Sequence, residues 1–411
     1  MIPKFVFGKE ENDWVKRPLL SNIEKILDYR GRTPKKLGLS WSDTGYLALS
    51  ALNVKNGYID FNVDANYGNQ ELYDQWMGKN KLHKGQVVFT TEAPMGNVAQ
   101  IPNDNLYILS QRTIAFEVKH ELISEVFLAT LLRSPKIFNE LTSLSSGGTA
   151  KGVSQKSLSY LKVSLPTSLK EQSAIGSLFR TLDALLASYK NNLANYQSLK
   201  AVMLSKMFPK AGQTVPEIRL DGFKGEWEVK KLENVLEFYA GLTYKPNDMV
   251  SDGTLVLRSS NVRDGEFIYK DNVFVNPDIV NCQNVKLGDI VVVVRNGSRD
   301  LIGKHALIKS EMPNTVIGAF MTGVRCEVPE FVNALLDTNM FISEINKNLG
   351  ATINQITTGN FKRMKFHFPD KEEQQVIGSY FANLDDLIAA HQEKISQLET
   401  LKKKFLQDMF I

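Results

Sequence analysis

The chain has 411 residues, 43% hydrophobic and 23% charged with a net charge of +4, which is room for two or three globular domains. Two cysteines, Cys282 and Cys326, exclude a disulfide framework and a cysteine-built zinc site, and fit a reducing cytoplasm. No apolar run has signal-peptide or membrane-spanning length, so neither export nor a membrane span is expected; the mildly basic balance permits a polyanionic partner without requiring one.

From the N-terminus, short β-rich runs at residues 46–49, 86–90 and 113–118 are bounded by Gly, Asn, Asp and Pro. A helix is predicted over 124–139, with Pro135 near its end, and a further strand over 163–165. Residues 165–208 then read as one long amphipathic helix. Its apolar positions, Ile175, Leu178, Leu182, Leu185, Tyr189, Leu193, Tyr196, Leu199 and Met203, advance in steps of three and four, the spacing of a coiled-coil seam. At about 1.5 Å rise per residue it makes a rod of roughly 60 Å. Pro, Gly and charge crowd residues 209–225, a predicted linker. Strands resume at 255–257, 290–295, 306–308 and 366–368, with a helix over 330–346. A second long helix closes the chain over 368–410, its stripe running through Ile377, Phe381, Leu384, Ile388, Ile395, Leu398, Leu401 and Phe405, with His391 in the remaining slot.

The second half restates the first. Gly176 answers Gly378, Leu182-Asp183 answers Leu384-Asp385, and Met207-Phe208 answers Met409-Phe410, all 202 positions apart. Trp14 and Leu19 answer Trp227 and Leu232 at 213, Asn53-Val54 and Gly57 answer Asn261-Val262 and Gly265 at 208, and Val87-Val88 answer Ile290-Val291 at 203. The offset changes only between blocks, as it does when loops vary on a shared framework. The expected fold is α+β: two similar mixed α/β domains and two long antiparallel helices forming a coiled-coil stalk, related by a pseudo-two-fold internal repeat. The predicted boundaries are 1–165 and 226–368 for the domains, 166–208 and 369–411 for the helices, and 209–225 for the linker. Ile175, Leu182, Tyr189 and Leu193 on the first long helix and Ile377, Leu384, His391 and Ile395 on the second are the positions expected to carry the helix–helix packing.

Enzyme signatures are poorly represented. Residues 296–305, NGSRDLIGKH, look like a phosphate-binding loop, but five residues rather than four separate Gly297 from Gly303, and His305 stands where a Mg²⁺-binding hydroxyl is needed. Asp104, Glu117 and Lys119 could in principle hold a metal for phosphodiester cleavage, yet an edge strand of alternating charge explains them more simply. His83, His120, His305, His367 and His391 have no metal-ligand spacing, so neither a catalytic centre nor a metal site is expected.

Recognition chemistry is richer. Arg30, Arg32, Lys35 and Lys36 place four cations on a Gly/Pro-containing loop able to approach phosphates. Arg295, Asn296, Ser298 and Arg299, with Lys304, follow a buried strand; Arg and Asn can make paired bonds to guanine and adenine edges. Residues 90–97 hold the matching place in the first half with different chemistry, including Thr91 and Asn97. A third matched pair of polar loops carries Thr149, Lys151 and Gln155 in the first half and Asn354 and Gln355 in the second. Arg30, Arg32, Lys35, Lys36, Lys151, Arg299 and Lys304 are the expected phosphate contacts. Thr91, Asn97, Gln155, Arg295, Asn296, Asn354 and Gln355 are the candidates for base edges.

The run from Val215 to Leu232, VPEIRLDGFKGEWEVKKL, resembles the repeat start of type I restriction–modification specificity subunits. So do Thr91-Glu-Ala-Pro-Met-Gly-Asn-Val98 and the pattern Pro166, Glu171-Gln172, Ile175, Leu182, Asp183, repeated as Pro369, Glu373-Gln374, Ile377, Leu384, Asp385. The resemblance spans nearly the whole chain, MIPKFVF at the N-terminus being a degenerate copy of the start. It implies a non-catalytic protein with two target recognition domains, each reading half of a split sequence in double-stranded DNA. It further implies two modification subunits that bind S-adenosylmethionine and methylate adenine, and restriction subunits in the cleaving complex. This chain itself is then expected to bind no cofactor directly.

Overall fold

A computed structural model of the chain describes residues 14–145, 152–349 and 354–410. It divides into a first unit, Met1–Lys190 with Glu393–Ile411, and a second, Asn191–Gln392. Each unit therefore contains the end of a helix that begins in the other repeat.

In the first unit an antiparallel sheet runs in the order Ile23–Asp28, Thr113–Val118, Val87–Thr90, Val98–Gln100. Beside it lies a small sheet of Tyr67–Gly68, Tyr46–Leu49 and Ile108–Leu109, the last two parallel. Helix α1 (Gln70–Met77) starts at Asn69, whose side chain accepts from the Leu72 amide, and it covers this sheet. Its Trp76 is wholly buried and donates Nε1–H to the Leu109 carbonyl at 2.9 Å.

The helix expected over 124–139 is two helices, α2 (Glu125–Leu132) and α3 (Pro135–Leu144). Pro135 cannot continue a helix but suits its first turn, and Ser134 before it accepts from the Ile137 amide as an N-cap. The short α4 (Gln155–Tyr160) precedes strand Lys162–Pro166, which pairs with Trp14–Pro18 and leads into α5 (Leu169–Lys206).

The second unit repeats this plan. Its main sheet runs Glu237–Ala240, Met321–Arg325, Ile290–Val293, His305–Leu307, the same antiparallel order as in the first unit. Its small sheet is a different structure: Met249–Val250, Val273–Val275, Thr254–Leu257 and Thr315–Ile317 replace the helix-covered version. The helix expected over 330–346 is again broken, into α6 (Pro329–Leu336) and α7 (Asn339–Asn348), with Thr338 accepting from the Phe341 amide. Helix α8 (Thr358–Arg363) and strand Lys365–Phe368, paired with Glu228–Lys231, lead into α9 (Lys371–Met409).

In both units the start of one long helix packs against the end of the other. Around the start of α5, Ile175, Phe179 and Leu182 join Leu398, Met409 and Phe410 from the end of α9 in one core. Around the start of α9, Ile377, Phe381 and Leu384 join Met207 and Phe208 from the end of α5. Start against end, in both units, is antiparallel packing. Phe410 lies 5.8 Å from Phe127 and 6.4 Å from both Trp14 and Phe179; Phe208 lies 5.5 Å from Phe331, 5.9 Å from Trp227 and 6.0 Å from Phe381. These are the same four positions of the repeat.

The buried stripe is broad at the start of each long helix, where it also faces the globular core, and thin farther on. Tyr189, Leu193 and Ile395 are half-buried, while Leu199, Val202 and Leu401 are exposed. His391 is half-buried too; its Nδ1 lies 2.8 Å from the Leu387 carbonyl and its ring 5.1 Å from that of Tyr196. Residues 209–225 lie along the second unit: the Ile218 amide donates to the Lys206 carbonyl, and Arg219 binds the fully buried Glu373 through Nε at 2.8 Å and Nη2 at 2.7 Å.

Candidate nucleic-acid interface

Three segments meet at one end of the main sheet in each unit. In the second unit they are the residues after strand Ile290–Val293, those before strand Met321–Arg325, and the approach to α8. The Val294 and Arg295 amides donate to the Phe320 carbonyl at 3.0 and 3.2 Å, and the Ile356 amide donates to the Val294 carbonyl at 2.9 Å. Arg295 pairs with Gln355 as an isolated antiparallel bridge. In the first unit the Thr91 amide donates to the Arg112 carbonyl at 2.8 Å, the Val153 amide donates to the Thr91 carbonyl at 2.9 Å, and Glu92 bridges Gly152. The bridges 92–152 and 295–355 are both shifted by 203 along the chain. The backbone of the tip is thus one design used twice.

The side chains on it differ. Arg295 is exposed, with its guanidinium carbon 5.0 Å from the ring centroid of Phe320, itself half exposed. Asn296 donates Nδ2–H to the Ser259 hydroxyl at 2.9 Å, and its Oδ1 accepts from the Ser298 amide. Asn354 donates to the Gly297 carbonyl at 2.9 Å. Arg295, Asn296, Asn354 and Gln355, 60 positions apart at the extremes, are brought together. Arg299 and Lys304 are exposed on the same hairpin, Arg299 reaching the Asn346 carbonyl at 3.4 Å. A cleft of 570 Å³ adjoins Phe320, lined also by Tyr244, Met249, Arg258 and Ser259.

The first unit separates its candidates. Thr91 is buried, its hydroxyl without a hydrogen-bond partner among the described residues, so a base edge cannot meet it in this conformation. Asn97 is committed inward: Nδ2–H donates to the Val54 carbonyl at 2.9 Å, and its amide to the Thr90 hydroxyl. Arg32 turns back onto the Tyr29 ring, 4.7 Å from its centroid, and donates to the Trp76 carbonyl. Lys36 closes its own loop on the Gly31 carbonyl at 2.7 Å. Thr91 and Asn97 are corrected to framework roles, while Arg32, Lys35 and Lys36 remain exposed.

Arg30 and Gln155 do meet, through Asp28. Arg30 Nε–H donates to the Asp28 carboxylate at 2.9 Å and Gln155 Nε2–H at 2.8 Å. Burial works to raise the Asp28 carboxyl, but these donors hold it below its ordinary value. Thr149 and Lys151 lie outside the described residues.

Glu92, Arg112 and Phe320 are contact candidates that sequence reasoning does not pick out. Arg112 and Phe320 each directly precede a strand, and only strand pairing brings them to the tip. Glu92 and Arg112 form an exposed ion pair at 2.9 Å. The rival metal set does not assemble. Asp104 accepts from the Lys84 amide, Glu117 faces Lys25 at 3.9 Å, and Lys119 donates to the Ser21 carbonyl. Among the described residues no group of three His, Cys, Asp or Glu could hold a metal, and no helix is long and apolar enough to cross a membrane.

One frame is thus used twice, with different polar side chains on each tip. A family model for the type I restriction modification DNA specificity domain matches residues 12–195 and 224–400, and the chain belongs to that family. Accordingly it is a DNA-recognition subunit and not a catalytic one. It is 25% identical over 313 residues to the type I restriction enzyme MjaVIII specificity subunit of Methanocaldococcus jannaschii, across 73% of this chain and 72% of that one. It is also 25% identical over 191 residues to the EcoKI specificity subunit of Escherichia coli, across 44% and 41%. A crystal structure of the type I restriction–modification S subunit from M. genitalium covers 100% of this chain and 99% of its own, with a TM-score of 0.67 at 16% identity, and so shares the fold.

Proposed function

We propose that each unit reads one part of a bipartite sequence in double-stranded DNA, and that the chain carries this specificity to two modification subunits and to restriction subunits in the cytoplasm. The observation that supports it is the tip: the same pairing of three segments in both units, with an arginine over an aromatic ring in one and an acid–arginine pair in the other. Framework held constant while contact chemistry changes is what two half-sites of different sequence require. Arg30, Lys35, Arg299 and Lys304 would bind phosphates, which fix register, and Arg295, Asn296, Asn354, Gln355 and Gln155 lie among the base-reading candidates. S-adenosylmethionine would be bound by the modification subunits, which methylate adenine. Exposed apolar positions of the long helices, such as Leu199, Val202 and Leu401, are available to dock them.

The test is to express the chain with its modification subunits in a host lacking adenine methylation and to sequence the modified bases. One interrupted motif should appear, and it should vanish when the chain is omitted. Methylation that persists unchanged without the chain would refute the assignment.

A further inference from the structure

Among the differences between the two tips, two matched positions stand out. Position 92 of the first unit corresponds to 295 of the second, at an offset of 203, and position 112 to 320, at 208. The correspondence is structural as well. Thr90 pairs with Thr113 across the first sheet as Val293 pairs with Met321 across the second, and the carbonyls of Arg112 and Phe320 accept from matched amides. The first unit has Glu at the first position and Arg at the second; the second unit has Arg and Phe. The arginine has changed places.

Its state changes with its place. Arg112 is neutralised by Glu92, Nε to Oε1 at 2.9 Å. Arg295 has no carboxylate partner among the described residues and lies over the Phe320 ring. Stacking orients a guanidinium while leaving its N–H edge free. A free planar fork fits the O6 and N7 acceptors of guanine, whereas a carboxylate is repelled by phosphate and accepts from the exocyclic amine of cytosine.

We infer that residues 92/112 and 295/320 form a two-position reading cassette, with Arg295 held by Phe320 selecting a guanine in one part of the target, and Glu92 steadied by Arg112 selecting a cytosine in the other. The inference rests on the proposed DNA-reading role. It adds two residues, Arg112 and Phe320, that position the reading side chain and are not themselves the readers.

The full chain, assembled with its modification subunits, is used to select duplexes from a library randomised over 20 base pairs, chosen at roughly two helical turns, and the bound pool is sequenced. For the unaltered protein, one part of the motif should hold a fixed guanine that R295A and R295K both relax by about 5- to 150-fold. Lysine keeps the charge but not the fork, so R295K should retain the salt dependence of binding while losing the guanine. F320A should blur the same column with the arginine still present. E92Q and R112A should alter one column of the other part only. The untouched part of the motif reports that each variant is folded. A guanine column that survives R295A, or a loss spread equally over all sequences, overturns the cassette while leaving the DNA-reading role intact. An unaltered protein that selects no motif overturns both.

Discussion

In the first unit Asp183 lies between two cations, Arg133 at 2.6 Å and Lys402 at 2.5 Å; in the second, Lys200 lies between two acids, Asp337 at 2.6 Å and Asp385 at 2.5 Å. The places are equivalent. Asp183 and Asp385 are 202 apart, as are Lys200 and Lys402, and Arg133 and Asp337 are 204 apart. Both helix-to-helix pairs join an Asp near the start of one long helix to a Lys near the end of the other. The third partner, at the end of α2 or α6, has inverted its sign. The helix pair was therefore held fixed while the globular domains drifted, even where the two touch.

The comparison is tested hardest by the aromatic ends of the helices. Phe410 belongs to the second repeat but fills the first unit's core, and Phe208 does the reverse. Truncating a buried Phe costs about 3–5 kcal/mol. Phe410→Ala should therefore weaken hydrogen-exchange protection of Thr113–Val118 and leave Met321–Arg325 nearly unchanged, with Phe208→Ala giving the opposite pattern. Loss in the repeat that supplied the residue would contradict the reciprocal arrangement.

Next is a pair that, among the described residues, only the second unit has. Arg219 bonds Glu373 twice in the buried interior, and removing it strands the carboxylate, at a cost of about 3 kcal/mol. The matching acid, Glu171, is also buried, but it meets only Trp14 Nε1–H at 3.3 Å, and its Oε2 has no partner among the described residues. At an offset of 213, Val6 stands where the second repeat has Arg219. Thermal unfolding should show Arg219→Ala strongly destabilising and Glu171→Gln nearly neutral. Equal penalties would mean that Glu171 is as firmly paired as Glu373.

A smaller effect separates packing from propensity. A Cβ on Gly378 would come within 2.7 Å of the Phe331 amide nitrogen, and one on Gly176 within 2.7 Å of the Val126 carbonyl carbon. Alanine gains about 1 kcal/mol in an open helix, but here backbone must move, which costs about 1–3 kcal/mol. Both Gly→Ala variants should lower the midpoint of denaturant unfolding. A rise in either would show that the neighbouring helix gives way freely.

Much of this architecture is legible in the amino-acid sequence alone. The offsets locate the repeat, and steps of three and four locate the long helices, because both signals come from local spacing. The helix breaks at Ser134 and Thr338 are harder to see, since the apolar pattern runs through them; Pro135 and a cap mark the first, and a cap alone marks the second. The second unit's strand-built small sheet, in place of α1, is also hidden, because short extended runs carry little periodicity. Among the site residues, Arg295 and Asn296 can be singled out because a buried strand ends beside them. Arg112 and Phe320 cannot, since a tip assembled from three segments leaves no contiguous motif. Thr91 and Asn97 look available only because a polar residue in a loop reveals nothing about which way it faces.

The charged clusters give the smallest effect and the most distinctive one, since the two units should respond to opposite ends of the pH scale. Burial acts to raise the Asp183 carboxyl, but Arg133 and Lys402 bring it below its ordinary value. Its contribution is present above the unfolded carboxyl value of about 3.9 and is lost as pH falls through the depressed folded one. Burial raises Asp385 despite Lys200, so protonating it favours the folded second unit as pH falls. Alkali acts the other way. Burial acts to lower Lys200, but Asp337 and Asp385 raise it, so its contribution holds below the unfolded lysine value of about 10.4 and is lost as pH rises through the higher folded one. Lys402 is lowered by burial and by Arg133, so its deprotonation on the alkaline side favours the folded first unit. Hydrogen exchange followed across pH should show α2 loosening first in acid and α6 first in alkali. Asp183→Asn should remove the acid response and Lys200→Met the alkaline one; identical profiles for α2 and α6 would mean that the inverted third partner has no energetic consequence.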